Sequence, residues 1–366
     1  MKRLWYLDWM RGLAAAIMLQ GHVFDGWVQP HDRASEWFWL SQFLGGLPAP
    51  IFLFLVGVSL SIVLDRARLK GASTSELVTK VVRRSAWILL LAYAFRIEQY
   101  LVWYPSSNWN DVFRVDTLNC IAVCTLIIGL LSIAMKTRAN IALMGSVTAA
   151  AVIATPWIYP LRPGIPDFAL AYLNGNGHPS FFSIFPWIAF TLAGITFGYL
   201  LLHAGERQAE KEFFKHAAIA GICFFAIGRT MSLTTAFEYG FFDYSLTSPH
   251  YFLVRLGWIL LIVAGAYQWS QRENAGRWSP FQLMGQASLI IYWLHIEIVY
   301  GPFLHRYNQA LTLAEAATQL AWLMPLMVVV AAVSKMQLCR ISKPLLVEGL
   351  DGRGCRRLED ATPRLG

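Results

Sequence analysis

Apolar runs about one bilayer thick recur along nearly the whole sequence, separated by short polar connections. They fall near residues 9–29, 37–64, 82–104, 116–135, 139–160, 181–203, 214–231, 251–270, 281–301 and 312–335. A hydrocarbon core about 30 Å thick needs roughly 20 apolar residues per helical span. Within lipid only a helix or a closed barrel satisfies its own backbone polar groups, and runs of this length are helical rather than strand-like. Charged residues make up only 14% of the chain, against roughly a quarter in a soluble domain. The expectation is an all-α polytopic membrane protein, a bundle of about ten transmembrane helices.

Placing the N-terminus inside puts all but seven of the 30 Lys and Arg residues on the inner side. That bias predicts cytoplasmic locations for both termini. It also disposes of the net charge of +8 as a sign of nucleic-acid binding, because the basic residues sit in short connections and in the C-terminal stretch. Six of the eight histidines fall instead on the outer half: His22, His31, His178, His250, His295 and His305. The five cysteines lack metal-ligand spacing, and Cys120 and Cys124, four apart in an apolar run, read as small core residues. Asp8 and Arg11 interrupt the first apolar run, so it reads as a retained helix rather than a cleaved signal. The expected organisation is a transmembrane domain over residues 1–343 and a polar cytoplasmic tail over 344–366.

The first run, LDWMRGLAAAIMLQGHVFDGW, carries the strongest signal of a site. Asp8, Arg11, Ala15, Met18, His22 and Asp25 follow one another at spacings of three and four, and so share one stripe of a helix. Arg11 and His22 are three turns apart, roughly 16 Å along the axis. A stripe with four ionisable residues cannot face lipid; it faces the bundle interior or a wet cavity. Asp25, one turn beyond His22, is placed to orient its imidazole as a general base. The bland alternative is a buried His–Asp pair that only locks helices together. Arg11, at the inner end, suits a phosphate or serves as an interfacial anchor beside Asp8.

Other polar positions are weaker. Arg83 and Arg84 lie at the inner start of the third run, where inside-positive bias or phosphate binding each accounts for them. Asp116 and Asn119, three apart at the outer start of the fourth, are acceptors for a polar substrate or parts of a helix cap. His295 stands in an otherwise apolar LIIYWLHIEIVYG with Tyr292 one turn before it, and is a candidate for positioning substrate or acyl group. The aromatic segments WYPSSNW and FEYGFFDY suit interfacial belts, with sugar stacking as the alternative. No metal site, Walker loop or nucleophile elbow occurs.

Several blocks together resemble a known family. Arg11 and His22 fit the first-helix R-x10-H pattern of acyltransferase-3-type transmembrane proteins. LDWMRGLAAAIMLQGHVFD, PAPIFLFLVGVSLSI, VDTLNCIAV, IFPWIAFTLAGITFGYLL and GQASLIIYWLH resemble, in order, the heparan-α-glucosaminide N-acetyltransferase-like branch. The resemblance, over residues 6 to 335, implies a membrane enzyme that takes an acyl group from cytoplasmic acetyl-CoA or another acyl-CoA. It passes that group to an amine or hydroxyl, commonly of a sugar or glycan, on the other side. Carried over by position, His22 is the base, Arg11 lies on the coenzyme A side and His295 matches the late-helix histidine.

Animal members of the branch have Asn at the position matching His22 and place their histidine in the following loop. His31 occupies that loop here and is the alternative base; His22 is preferred as intramembrane and backed by Asp25. The animal enzyme's large luminal N-terminal region has no counterpart, and no N-x-S/T sequon occurs. These features set the expectation of a bacterial inner membrane. A homodimer is compatible with the sequence. A proton-coupled small-molecule transporter is the rival reading, since intramembrane His and Asp suit it equally.

Overall fold

The computed structural model describes residues 4–134, 137–158, 161–162, 164–175, 180–233, 247–271 and 279–342. The expectations for His178, for FEYGFFDY and for the tail 344–366 lie outside these residues. Among the described residues there are helices and no strands, so the chain is all-helical. It divides into two compact units, Met1–Gly46 with Glu273–Gly366, and Leu47–Arg272.

The first unit contains α1 (Trp5–Trp27), a 3-10 turn (Pro30–Ala34), α2 (Glu36–Gly45), α11 (Pro280–Gln286), α12 (Ser288–Tyr300) and α13 (Leu313–Ser342). Its centre is α1, which packs on α2, α11, α12 and α13. Two glycines permit the tightest of these contacts. A Cβ at Gly12 would lie 1.7 Å from the Phe281 carbonyl oxygen, and one at Gly285 would lie 1.9 Å from that of Asp8. Backbones at this distance exclude every side chain larger than hydrogen, as in the small-residue crossings by which membrane helices associate.

The run expected as one helix over 281–301 is in fact two, α11 and α12, bent by 89° at Ala287. The break lets α11 press Gly285 onto α1 while α12 changes direction and packs along α1 as a separate element. The end of α1 is stitched down by backbone bonds. Gln29 N–H donates to Leu311 (2.8 Å), Leu311 N–H to Trp27 (2.9 Å) and Gln309 N–H to Gly26 (2.9 Å). The Trp27 indole adds a buried bond to the Val299 carbonyl at 2.9 Å.

The second unit contains α3 (Pro48–Leu69), α4 (Thr74–Val102), α5 (Thr117–Ile133), α6 (Thr137–Ile158), α7 (Asp167–Leu173), α8 (Ile184–Glu206), α9 (Glu210–Ser232) and α10 (Pro249–Ser270). Its α8 packs on α3 and α6, α4 on α5, and α9 on α10. The run expected over 37–64 is interrupted at Gly46–Leu47, between α2 and α3, yet Glu36–Leu69 remains one candidate span. The short α7 was not anticipated, because seven residues are too few to show a helical period. Cys120 and Cys124 are buried, with sulfurs 3.8 Å apart, as core residues of α5.

Five stretches are long and apolar enough to cross a membrane: Glu36–Leu69, Ala139–Ile158, Ile184–Gly205, Pro249–Ser270 and Leu313–Gln337. The bent pair α11–α12 makes a sixth if it counts as one span. This is a multi-pass membrane protein. Length and apolarity alone give fewer than ten spans because α5, at 17 residues, is short, and α1, α4 and α9 carry charges within otherwise spanning lengths of 23, 29 and 23 residues. Such helices cross lipid only when their charged faces are covered by protein or water.

Candidate functional site

The stripe on α1 divides into three levels. Ala15 and Met18 in its middle are buried at 0% and 6% exposure, so this part of α1 faces protein. At the N-terminal end Arg11 donates to Asp8 at 2.8 Å, one turn earlier on the same face. At the C-terminal end His22 is half-buried and Asp25 is exposed.

His22 meets a second imidazole. Its Nδ1 lies 3.3 Å from Nε2 of His295, which comes from α12 and is fully buried. The other nitrogen of His295, Nδ1, lies 2.9 Å from the Ile291 carbonyl oxygen. These partners assign the protons. A carbonyl only accepts, so His295 donates from Nδ1, and in the neutral ring its Nε2 must then accept. His22 therefore donates from Nδ1, which leaves the lone pair on its Nε2. The outcome is a directional chain, His22 to His295 to a backbone carbonyl, with one basic nitrogen at its end.

The sequence expectation gave Asp25 the task of orienting His22. The structure gives that contact to His295. Asp25 accepts from the Tyr300 hydroxyl at 3.2 Å, and its carboxylate lies 3.9 Å from Arg33. Arg33 also donates to the backbone carbonyls of Asp25 and Val28. The reason is competition for partners: the Asp25 carboxylate is met by the Tyr300 hydroxyl and the Arg33 guanidinium, while His22 Nδ1 is met by His295. Tyr300 links the two groups, because its ring also packs edge-on to His22 with centroids 5.6 Å apart. Tyr292 flanks His295 at 5.8 Å, as its one-turn spacing implied.

Sequence reasoning missed Tyr300 and the part played by Arg33. Tyr300 is five residues past His295, about 140° away around the helix, so helical spacing offers no signal for the pair. Gly26 is the local cue, since a Cβ there would lie 3.0 Å from Val299 and 3.1 Å from the Tyr300 ring. His31 sits exposed in the 3-10 turn that follows α1, beside Asp32, whose carboxylate accepts from Leu313 N–H at 3.0 Å.

The remaining candidates belong to the second unit. Arg83 is exposed and Arg84 half-buried in the first half of α4. Asp116 is buried and ion-paired with Arg96, and Asn119 accepts from the Asp116 N–H at 3.2 Å while donating to the Tyr172 hydroxyl at 3.1 Å. Both therefore serve the start of α5, as a capping pair does. Among the described residues no group of three or more His, Cys, Asp or Glu is arranged to hold a metal ion.

A family model described as heparan-alpha-glucosaminide N-acetyltransferase, catalytic, matches residues 3–235. No curated protein matches the chain. The matched stretch includes Arg11, His22, Asp25, His31, Asp116 and Asn119, while His295 and Tyr300 lie beyond it.

Proposed function

The chain belongs to the heparan-α-glucosaminide N-acetyltransferase catalytic family, and from that premise we propose that it moves an acetyl group from cytoplasmic acetyl-CoA to an amine or hydroxyl of a sugar across the membrane. The observation that carries the reading is the pair His22–His295, which presents one unprotonated imidazole nitrogen on a half-buried ring. In the proposed topology about ten helices span, both termini are cytoplasmic, residues 1–343 form the transferase region and 344–366 a polar tail. The membrane is a bacterial inner membrane. Arg11, Arg83 and Arg84 lie on the coenzyme A side, where guanidinium groups suit its phosphates.

The chemistry follows from the proton assignment. The acceptor's nitrogen or oxygen attacks the thioester carbonyl as His22 Nε2 takes its proton. The carbon–sulfur bond breaks, and His22 returns the proton to the departing thiolate, so CoA leaves as the thiol and the enzyme is regenerated. While His22 is an imidazolium, its Nδ1–H bond to neutral His295 becomes charge-assisted and shorter. His295 is thus a positioning residue, holding His22 in one tautomer. Tyr300 and Arg33 hold Asp25 near enough to favour the imidazolium without accepting from it.

The test is direct. Purified protein in lipid nanodiscs, given labelled acetyl-CoA and glucosamine, is expected to release CoA and label the sugar only when both substrates are present. No CoA release with any amine or hydroxyl sugar would overturn the reading.

The role of His295 makes its own prediction. His295→Ala is expected to lower kcat by about 10- to 100-fold, less than the roughly 10²- to 10⁴-fold that loss of the base itself costs, with KM for acetyl-CoA unchanged. His295→Gln, which keeps a hydrogen-bonding group toward His22, restores part of kcat. The limb of the pH–kcat profile that reports His22 shifts in the alanine variant. A raised KM with normal kcat, or an unmoved profile, argues that His295 contacts substrate or serves packing alone.

A further inference from the structure

At the C-terminal end of α4 the second unit carries a cleft of about 280 Å³. It is built from the segment WYPSSNW and the 3-10 turn after it, with Trp103, Tyr100, Gln99, Arg96, Asp111 and Arg114 in its walls. The serines that follow α4 are tied to its last carbonyls: Ser106 donates to Trp103 at 2.7 Å and Ser107 to Tyr100 at 2.8 Å. Each hydroxyl has its proton committed and keeps its lone pairs as acceptors.

The charges in the cleft cancel. Arg96 is paired with Asp116, and their side chains are 12% and 9% exposed. Arg114 is paired with Asp111 at 2.6 Å, and its guanidinium lies 5.2 Å from the centre of the Phe181 ring. The buried Nε atoms of both arginines have no hydrogen-bond partner among the described residues. A phosphate or sulfate would need an excess of positive charge that these pairs remove. An uncharged ligand with many hydroxyls matches instead: fixed guanidinium and carboxylate groups donate to and accept from neighbouring hydroxyls, and aromatic rings cover a C–H face. The volume admits one pyranose ring with room for water.

We infer that this cleft is a saccharide-binding subsite for an uncharged pyranose, with Trp103 and Tyr100 as the aromatic wall and Asp111, Arg96 and Arg114 as the hydroxyl-binding groups. Asp116 belongs to it as a positioning residue that holds Arg96 in place. Naming the bound sugar as the acceptor rests on the transfer reading above; affinity for the ring does not.

The experiment measures binding without acetyl-CoA, by saturation-transfer NMR and calorimetry, on the full chain in nanodiscs free of glycoside detergent. The probes are methyl β-glucoside, glucuronate and glycerol. Methyl β-glucoside is expected to bind with millimolar affinity that changes little with salt, glucuronate no more tightly and glycerol not at all. Trp103→Ala and Asp111→Asn are each expected to weaken the glucoside by at least about tenfold, while Gly265→Ala on α10, where an added Cβ meets nothing within 4 Å, leaves it unchanged. Thermal melts of each variant separate lost binding from lost fold; Asp111→Asn alters no volume and is the informative variant if Trp103→Ala unfolds. Preference for glucuronate, absence of glucoside binding, or wild-type binding by a folded Asp111→Asn would each overturn the subsite. Saccharide binding without CoA release would retain the cleft and remove the transfer reading, and transfer without such binding would do the reverse.

Discussion

His22→Ala is expected to abolish sugar-dependent CoA release, by about 10²- to 10⁴-fold in kcat, the range for loss of a positioned general base, while acetyl-CoA still binds. The expectation follows from the proton assignment. In the variant His295 Nδ1 stays committed to the Ile291 carbonyl and its Nε2 loses its donor, but that nitrogen belongs to a fully buried ring fixed on α12 and does not reach the place vacated by His22 Nε2. Asp25 cannot replace it either, since its carboxylate is engaged by Tyr300 and Arg33. His31 is exposed, in the turn beyond α1 and outside the His22–His295 pair, and His31→Ala is expected to leave kcat nearly unchanged. Labelled acetyl-CoA turnover, with calorimetry for acetyl-CoA binding, reads both variants. Normal turnover in His22→Ala, with loss in His31→Ala, would move the base to the turn and return His22 to a helix-locking role.

The second large effect is structural. Gly12→Leu or Gly285→Leu is expected to prevent the first unit from assembling, seen as loss of a cooperative thermal transition and of the monodisperse species in detergent. Overpacking a core ordinarily costs about 1–3 kcal/mol because side chains and backbone shift to make room. Here the obstructing atoms are backbone carbonyls of the facing helix, 1.7 and 1.9 Å from the added Cβ, so the helices themselves must part. Any separation of α1 from the α11–α12 corner also removes the His22–His295 contact, so residual protein is expected to be inactive. Gly265→Ala on α10, where nothing lies within 4 Å of the added carbon, is the control and is expected to melt as the parent does. A normal melt for Gly12→Leu would mean that α1 and α11 do not cross where the structure has them.

Much of this was legible in the sequence. The charge deficit and the length of the apolar runs specified an all-helical membrane protein, because lipid allows only helices or closed barrels and runs of about twenty residues are too long for barrel strands. The stripe from Asp8 to Asp25 was legible because positions along one helix are set by covalent geometry, 1.5 Å and 100° per residue. The Arg11–Asp8 pair and the proximity of Tyr292 to His295 follow from the same rule.

What only the tertiary structure decided concerns residues on different helices. His22 and His295 are 273 positions apart, and no spacing rule relates them; a pair of facing glycines and an 89° bend bring them together. The same bend, not any periodicity, brings Tyr300 to Asp25 and so takes the carboxylate from the histidine it was expected to orient. The cleft beside Arg96 likewise depends on how a loop folds back on its own helix. Helical rise and rotation propagate along a chain, whereas contacts between helices depend on which surfaces can approach, and that is a property of the packed bundle.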